Sequence, residues 1–247
     1  MRGPLAMRAA SKRLTSTVFK HSQTRSFGAL MDVVTCHQVV RGEELIDEID
    51  EGRYLNGIDV SAYQSRPDWA AVKRSGLVQF AYAKATEGAG FIDEQYARNA
   101  RMCREQAIAF GAYHFFRFDV DAAAQASNFL RTAAIKPGDL APAADVESGR
   151  GASGALATFL ELVEREIKTA PIVYTNAAFW EGTMGGTDAF AGRYSLWIAQ
   201  YDDAPAPTLP AGWKAWRLWQ YASTGNVPGI AGDVDLDRSN GDLLRVP

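Results

Sequence analysis

Two carboxylates separated by a single valine occur in the segment PAADVESGR, residues 142–150. Alternate residues of an extended strand point to the same face, so a strand here places Asp145 and Glu147 side by side, about 7 Å apart along the backbone. Two carboxylates so placed repel each other, share a proton or carry out acid–base chemistry. The alternative is structural, with the pair forming a salt bridge or capping a neighbouring element. The surrounding elements decide between these readings.

Eight short apolar segments from Leu55 onward have the length and composition of buried strands. Helix-like stretches separate the early segments, at residues 93–107, 121–134 and 153–170, whereas a proline-rich loop follows Tyr201. Alternation of strand and helix predicts a parallel sheet with crossover helices. We therefore expect an α/β barrel with a degenerate final third, and an open doubly wound sheet is the alternative. The eight segments are NGIDVS, VQFAYAKA, AFGAYHFF, LAPAADVE, APIVYTN, YSLWIAQY, WRLWQYA and DVDLDR.

Polar side chains stand at or near the end of every predicted strand. Active sites of barrels are built at the carboxyl ends of the strands, so these side chains are expected to share one polar mouth that receives Asp145 and Glu147. The residues are Asp59, Lys84, Glu87, His114, Asp145, Glu147, Asn176, Gln200, Gln220 and Asp235.

The composition excludes several classes of function. A net charge of −3 gives no indication of a nucleic-acid partner. Two cysteines, Cys36 and Cys103, provide neither a disulfide framework nor a metal-binding spacing. The glycine-rich segments lack the phosphate-loop pattern, so we expect no nucleotide, no other cofactor and no metal ion. No apolar run approaches the ~20 residues that a transmembrane helix requires.

The first 31 residues differ from the rest of the chain. They contain six basic residues and no acidic one. They also lack a continuous apolar region, which argues against a secretory signal. A disordered tail or a wrongly chosen start codon is the expectation, and an organellar transit peptide is the alternative. Residues 42–52 then predict a short acidic amphipathic helix. We expect residues 1–54 to form an N-terminal extension and residues 55–247 to form the barrel domain.

From Gly57 onward the chain resembles glycoside hydrolase family 25, the Chalaropsis-type lysozymes or N-acetylmuramidases. The resemblance implies a modified TIM-like barrel of about five β/α units followed by three strands with little helix between them. It also implies cleavage of the β-1,4 bond between N-acetylmuramic acid and N-acetylglucosamine in peptidoglycan. The matching segments are GIDVSAYQSRPDW (57–69), AYAKATEG (81–88), GAYHFF (111–116), ADVE (144–147), IVYTN (172–176), LWIAQY (196–201) and LWQYASTGNVPGIAGDVDLDR (218–238).

Four acidic residues are the predicted catalytic groups. Glycoside hydrolysis needs an acid that protonates the leaving oxygen, and Glu147 fits this role if the neighbouring Asp145 carboxylate raises its pKa. Asp145 orients the 2-acetamido group of the substrate for attack on the anomeric carbon, with direct attack by a carboxylate as the alternative. By correspondence with the family, Asp59 and Asp235 are further active-site carboxylates. Their structural alternatives are a turn or cap residue for Asp59 and a salt bridge for Asp235, whose neighbours Asp233 and Asp237 are expected to face elsewhere.

Aromatic and amide side chains near the strand ends suit carbohydrate, because sugar rings stack on aromatic planes and sugar hydroxyls bond to amides. Lys84 and Glu87 are predicted to line a subsite or, alternatively, to form only an ion pair. Tyr82, Tyr113 and Trp219 fit the core equally well, and His114 is expected to be a core residue. The predicted substrate-binding residues are Tyr63, Lys84, Glu87, Tyr174, Trp197, Gln200, Tyr201 and Gln220.

The sequence therefore predicts a lysozyme-type hydrolase that retains the anomeric configuration. The alternatives are a chitinase-like endo-β-N-acetylglucosaminidase and a glycan-binding barrel without activity. The expected partner is the glycan strand of peptidoglycan, and we expect a monomer. Its action is expected outside the cell or in the cell wall, although the sequence carries no clear signal peptide.

Overall fold

The computed structural model describes residues 54–247, which form a closed barrel of eight strands with a ninth, two-residue strand attached to its rim. Around the barrel the order is β1-β9-β8-β7-β6-β5-β4-β2, and β1 pairs with β2 to close it. The strands are β1 (Tyr54–Val60), β2 (Phe80–Glu87), β3 (Phe91–Ile92), β4 (Ala109–Phe115), β5 (Ala143–Asp145), β6 (Ile172–Asn176), β7 (Ser195–Ala199), β8 (Leu218–Gly225) and β9 (Val234–Asn240).

Five α-helices follow the early strands, and the structure describes none between β7 and β9. This confirms the expected barrel of about five β/α units followed by three strands with little helix. No helix within residues 54–247 is long and apolar enough to cross a membrane. The helices are α1 (Trp69–Ser75), α2 (Tyr96–Glu105), α3 (Ala122–Ala133), α4 (Ser153–Ile167) and α5 (Ala177–Gly182).

The last strand runs in the opposite direction to the other strands of the barrel. β9 pairs antiparallel with both β8 and β1, whereas the pairings from β1 through β2 and β4 to β8 are parallel. The first residues of β9 therefore lie at the same barrel end as the last residues of the parallel strands. In this register Asp235 stands directly opposite Asp59. We call this end the mouth.

Two apolar clusters follow from the alternation of side chains along each strand. One cluster fills the barrel interior with Phe80, Tyr82, Trp197 and their neighbours. The other lies between the outer face of the barrel and the helices, and Ile58, Val146 and Phe159 belong to it. Interior positions therefore carry aromatic rings deep in the barrel and polar groups near the mouth.

The predicted eight strands all form, within one to three residues of their expected ends. The expected basic tail and acidic helix fall on residues 1–53, which lie outside the described residues. The proposed boundary at 54/55 falls beside the start of β1, because Tyr54 pairs with Asn240 on β9. The division into an extension and a barrel domain stays a prediction.

Candidate active site

Five carboxyl groups converge at the mouth. Three strands supply four of them through interior-facing positions: Asp59 on β1, Asp145 at the end of β5, and the pair Asp235 and Asp237 on β9. Glu147 follows β5 by two residues and lies half-buried at the opening. Small residues make this crowding possible, because β5 contributes only Ala143 and Ala144 before its acid. The predicted catalytic acids are therefore brought together.

Asp59 is held as a neutral carboxyl group. Burial, and then the nearby Asp235, raise the pKa of Asp59 to about 8, against a lowering by its hydrogen bond with Gln220. The Gln220 amide donates through Nε2 to Asp59 Oδ2 at 2.5 Å. At neutral pH Asp59 is accordingly protonated, which removes one negative charge from beside Asp145.

Glu147 has the raised pKa that a general acid needs. Burial is the main cause, whereas the hydrogen bond from Tyr174 and the positive charge of Lys84 lower the pKa. The Tyr174 hydroxyl lies 3.4 Å from Glu147 Oε2. The sequence-based expectation named repulsion by Asp145 as the cause, whereas burial is the main one; the repulsion within this pair raises the pKa of Asp145. Partial removal of Glu147 from water outweighs the other contributions.

Asp145 lies deeper than Glu147 and has an unused oxygen. Burial, then Glu147, then Asp59 raise the pKa of Asp145 well above its usual range, while Lys84 lowers it. Its Oδ1 atom is buried and has no hydrogen-bond partner among residues 54–247. A buried oxygen without a partner costs about 1–3 kcal/mol, so a donor on a bound molecule would be favoured there.

Asp237 faces the same side of β9 as Asp235, which corrects the expectation that it faces elsewhere. Residues two apart on a strand share a face, and Asp233-Val-Asp-Leu-Asp237 should have been read in that way. Asp237 is fully buried, and its Oδ1 accepts a hydrogen bond of 2.8 Å from Trp197 Nε1. Burial, and then Asp59, raise the pKa of Asp237 well above its ordinary value. Burial, and then the nearby Glu147, raise the pKa of Asp235 to about 6.

One glutamine ties the tyrosines of the mouth to the acids. Gln220 Oε1 accepts hydrogen bonds from the hydroxyls of Tyr174, at 2.8 Å, and Tyr201. Its amide nitrogen donates to Asp59, so all three contacts agree with one orientation of the amide. Gln220 thereby positions Asp59 and two ring hydroxyls, and Tyr201 remains 53% exposed at the surface.

Lys84 and Glu87 form an ion pair of 2.6 Å close to the acids. Arg117, which follows β4, joins them with its Nε 2.9 Å from Glu87 Oε1. The same guanidinium lies 3.4 Å from the hydroxyl of Ser148, the residue after Glu147. Sequence reasoning missed Arg117, although its place two residues beyond the end of β4 is a signal of the kind used for the other strands.

Three of the predicted substrate-binding side chains are placed differently from the rest. Tyr63 is 86% exposed on the turn after β1. Trp197 is buried beneath the acids, between Tyr82 and Tyr174, and offers no open ring face. The Gln200 amide bonds to Asp202 and to the backbone N–H of Thr208, so it organises its own loop.

His114 is a core residue, as expected. It is fully buried on the outer face of β4, with Thr86 and Gln125 on its two ring nitrogens. Burial lowers the pKa of His114 to about 4, so the ring stays neutral near pH 7. Within residues 54–247 no group of histidine, cysteine or acidic residues has an arrangement that could hold a metal ion.

Comparisons with known proteins agree with this geometry. The model of glycosyl hydrolases family 25 matches residues 58–230. Lysozyme M1 of Streptomyces globisporus is 33% identical over 213 residues, which are 78% of this chain and 70% of that protein. The N,O-diacetylmuramidase of Chalaropsis sp. is 28% identical over 204 residues, which are 73% of this chain and 96% of that protein.

Solved structures show the same fold. The bacterial lysozyme from Streptomyces coelicolor matches with a TM-score of 0.72 at 32% identity, over 76% of this chain and 93% of that chain. A family GH25 lysozyme from Aspergillus fumigatus matches with a TM-score of 0.68 at 26% identity, over 76% and 95%. The family match spans most of the barrel and includes Asp59, Asp145 and Glu147. The chain therefore belongs to glycosyl hydrolases family 25 and is a glycoside hydrolase of the lysozyme type, a peptidoglycan hydrolase.

Proposed function

We propose that this enzyme cleaves the β-1,4 bond between N-acetylmuramic acid and N-acetylglucosamine, with Glu147 as general acid and then general base. The observation that carries the proposal is the pairing of Glu147, whose pKa burial raises, with the deeper Asp145, whose Oδ1 has no partner among the described residues. Proton donation and substrate orientation are thus assigned to two neighbouring carboxyl groups with different surroundings.

The two carboxyl groups hold one proton between them at neutral pH. Like charges at short range cannot both form readily, and each raises the energy of the other's ionisation. Catalysis requires this proton on Glu147, which lies at the opening where the glycosidic oxygen enters. Burial alone favours the proton on the deeper Asp145, so the ionised Asp145 depends on the positive charge of Lys84 and on a substrate donor at its unpartnered Oδ1.

In the first step Glu147 gives its proton to the glycosidic oxygen, and the bond from that oxygen to the anomeric carbon breaks. The carbonyl oxygen of the substrate's own acetamido group attacks the anomeric carbon and forms a cyclic oxazolinium. Asp145 Oδ1 accepts the hydrogen bond of the acetamido N–H, which orients the group and stabilises its positive charge.

In the second step the ionised Glu147 removes a proton from water, and the water oxygen attacks the anomeric carbon from the original face. The oxazolinium opens, the acetamido group is restored and Glu147 regains its proton. Two displacements at one carbon leave the configuration unchanged. Asp59, Asp235 and Gln220 do not react in this scheme. They set the charge around the reacting groups and keep those groups in position.

Mass spectrometry of fragments from purified peptidoglycan tests which bond is cut. We expect muramic acid at every new reducing end, since the proposed enzyme is a muramidase. Glucosamine at the new ends, or faster cleavage of chitin oligomers, would instead support the chitinase-like alternative. Absence of new reducing ends would leave only the glycan-binding alternative. Because peptidoglycan is the proposed substrate, we expect the enzyme to act in the cell wall, outside the cell. We also expect it to act as a monomer.

A further inference from the structure

The β3 hairpin exposes two large apolar side chains beside the mouth. β3 pairs antiparallel with the end of β2, so Ile92 stands opposite Thr86 and Phe91 opposite Glu87. Phe91 is 52% exposed and Ile92 is 53% exposed. Consecutive residues of a strand point to opposite faces, so Phe91 lies on the face of Glu87 and Lys84, whereas Ile92 lies on the face of Thr86. The Phe91 ring leaves apolar surface in water beside the mouth, and a bound apolar group would cover it at about 25 cal/mol per Å².

Buried polar contacts hold this hairpin in place. Asn128 on α3 is almost completely buried, and its Nδ2 donates to the carbonyls of Gly88 and Phe91, both at 3.1 Å. The backbone N–H of Asp93 donates to the carbonyl of Ala85 at 3.0 Å. The Phe91 ring is therefore presented by a fixed support, and a ligand would pay little ordering entropy on binding there.

Positive charge adjoins the Phe91 ring. Lys84 and Arg117 share the single carboxylate of Glu87, so the three side chains carry a net charge of +1. The Lys84 ammonium also lies 5.4 Å from the centre of the Phe91 ring. Arg117 keeps 39% of its side chain exposed and reaches Ser148, next to Glu147. A continuous row of groups thus leads from the hairpin to the proposed general acid.

We propose that Phe91 and Arg117 form a stem platform, which binds the peptide stem carried by the muramyl residue of the substrate. This inference rests on the proposed muramidase function. A stem is a short peptide with small apolar side chains and free carboxylates, joined to the sugar through its lactyl group. Phe91 has no polar group to pair with sugar hydroxyls, so its ring suits the methyl groups of a stem. Arg117 suits a stem carboxylate through its remaining N–H donors.

The test compares two substrates and three forms of the full chain. One substrate is purified peptidoglycan glycan with its stems, and the other is the same glycan after an amidase has removed them. The forms are the wild type, the variant F91A, and the control L55A. Leu55 is 38% exposed near the start of β1, at the end of the barrel opposite the mouth. Release of new reducing ends gives kcat/KM for each combination.

We expect the wild type and L55A to cleave the stem-bearing glycan faster than the stripped one. F91A should lose about ten-fold in kcat/KM on the stem-bearing glycan, mostly through KM, and nothing on the stripped glycan. Equal losses on both substrates, or no loss on either, would overturn the proposal. If the wild type releases no muramic-acid ends from either glycan, the proposed function fails first, and that result is seen without any variant.

Discussion

Replacement of Glu147 by glutamine removes the proton that the proposed mechanism needs and changes little else. A general acid or base contributes about 10²–10⁴-fold to the rate, so E147Q should lose at least ~100-fold in kcat, or about 2.7 kcal/mol of transition-state stabilisation. Loss of the Glu147 charge also removes one cause of the raised pKa of Asp145. Asp145 lies deeper than Glu147, away from the opening, so it does not replace the missing acid.

The fold of this variant should be preserved. Glutamine keeps the size and the polar end of the Glu147 side chain, which lies 3.4 Å from the Tyr174 hydroxyl, and Glu147 is only partly buried. Substitutions of this kind change the free energy of unfolding by about 0.5 kcal/mol, which corresponds to roughly 1–2 °C in Tm for a domain of this size.

Release of new reducing ends from purified peptidoglycan measures the loss, and a thermal melt by circular dichroism checks the fold. Glu161→Gln on α4 is the matched control, because Glu161 is exposed and pairs with Arg193 on the outer surface. Turnover by E147Q within two-fold of E161Q would refute the assignment of Glu147. A Tm lowered by ~10 °C would mean that the loss came from the fold.

Two further predictions concern Asp59 and the N-terminal residues. Asp59 binds a proton more tightly in the folded chain, because its pKa is raised from 3.8 to about 8. The wild type should therefore lose stability as the pH rises from about 4 to about 8, while Asp59→Asn loses less. An equal loss of stability in the two proteins, measured by urea unfolding across this pH range, would contradict the neutral Asp59. A chain that starts at Tyr54 should fold and digest cell walls, because β1 begins there and the ring of Tyr54 packs 5.4 Å from that of Trp216. If this shorter chain is insoluble while the full chain is soluble, the domain boundary lies further upstream.

The strands were predictable because each is a short apolar run, and several carry a polar residue at an interior position near the mouth. This is how Asp59, Asp145 and Gln220 could be placed in one mouth before any coordinates. The missing helices after β7 were also visible, since proline-rich segments cannot form them. The direction of β9 was not, because its alternating acids are compatible with either orientation.

Depth within the barrel could not be predicted from residue type. Trp197 and Tyr174 both face the interior, but Trp197 lies one layer below the acids and serves Asp237 with its indole N–H. The sequence also does not show whether a polar side chain bonds to a neighbour in its own loop or faces the mouth. The Gln200 amide bonds within its own loop. Only the folded register shows which of several suitable side chains meets the substrate.

The hairpin at β3 escaped sequence reasoning for a related reason. Two residues are too few to give a strand pattern, and the glycines before them indicate only a turn. Its position depends on Asn128, which lies 37 residues further along the chain from Phe91. Long-range contacts of this kind are absent from local patterns.

The anomeric configuration of the first product tests the proposed mechanism most directly. Proton NMR should follow the anomeric signal of the new reducing end immediately after cleavage of a soluble peptidoglycan fragment, before mutarotation. Acetamido attack followed by water from the original face predicts the β-anomer first. An α-anomer as the first product would contradict the two-step mechanism and would require a water molecule activated on the opposite face of the sugar.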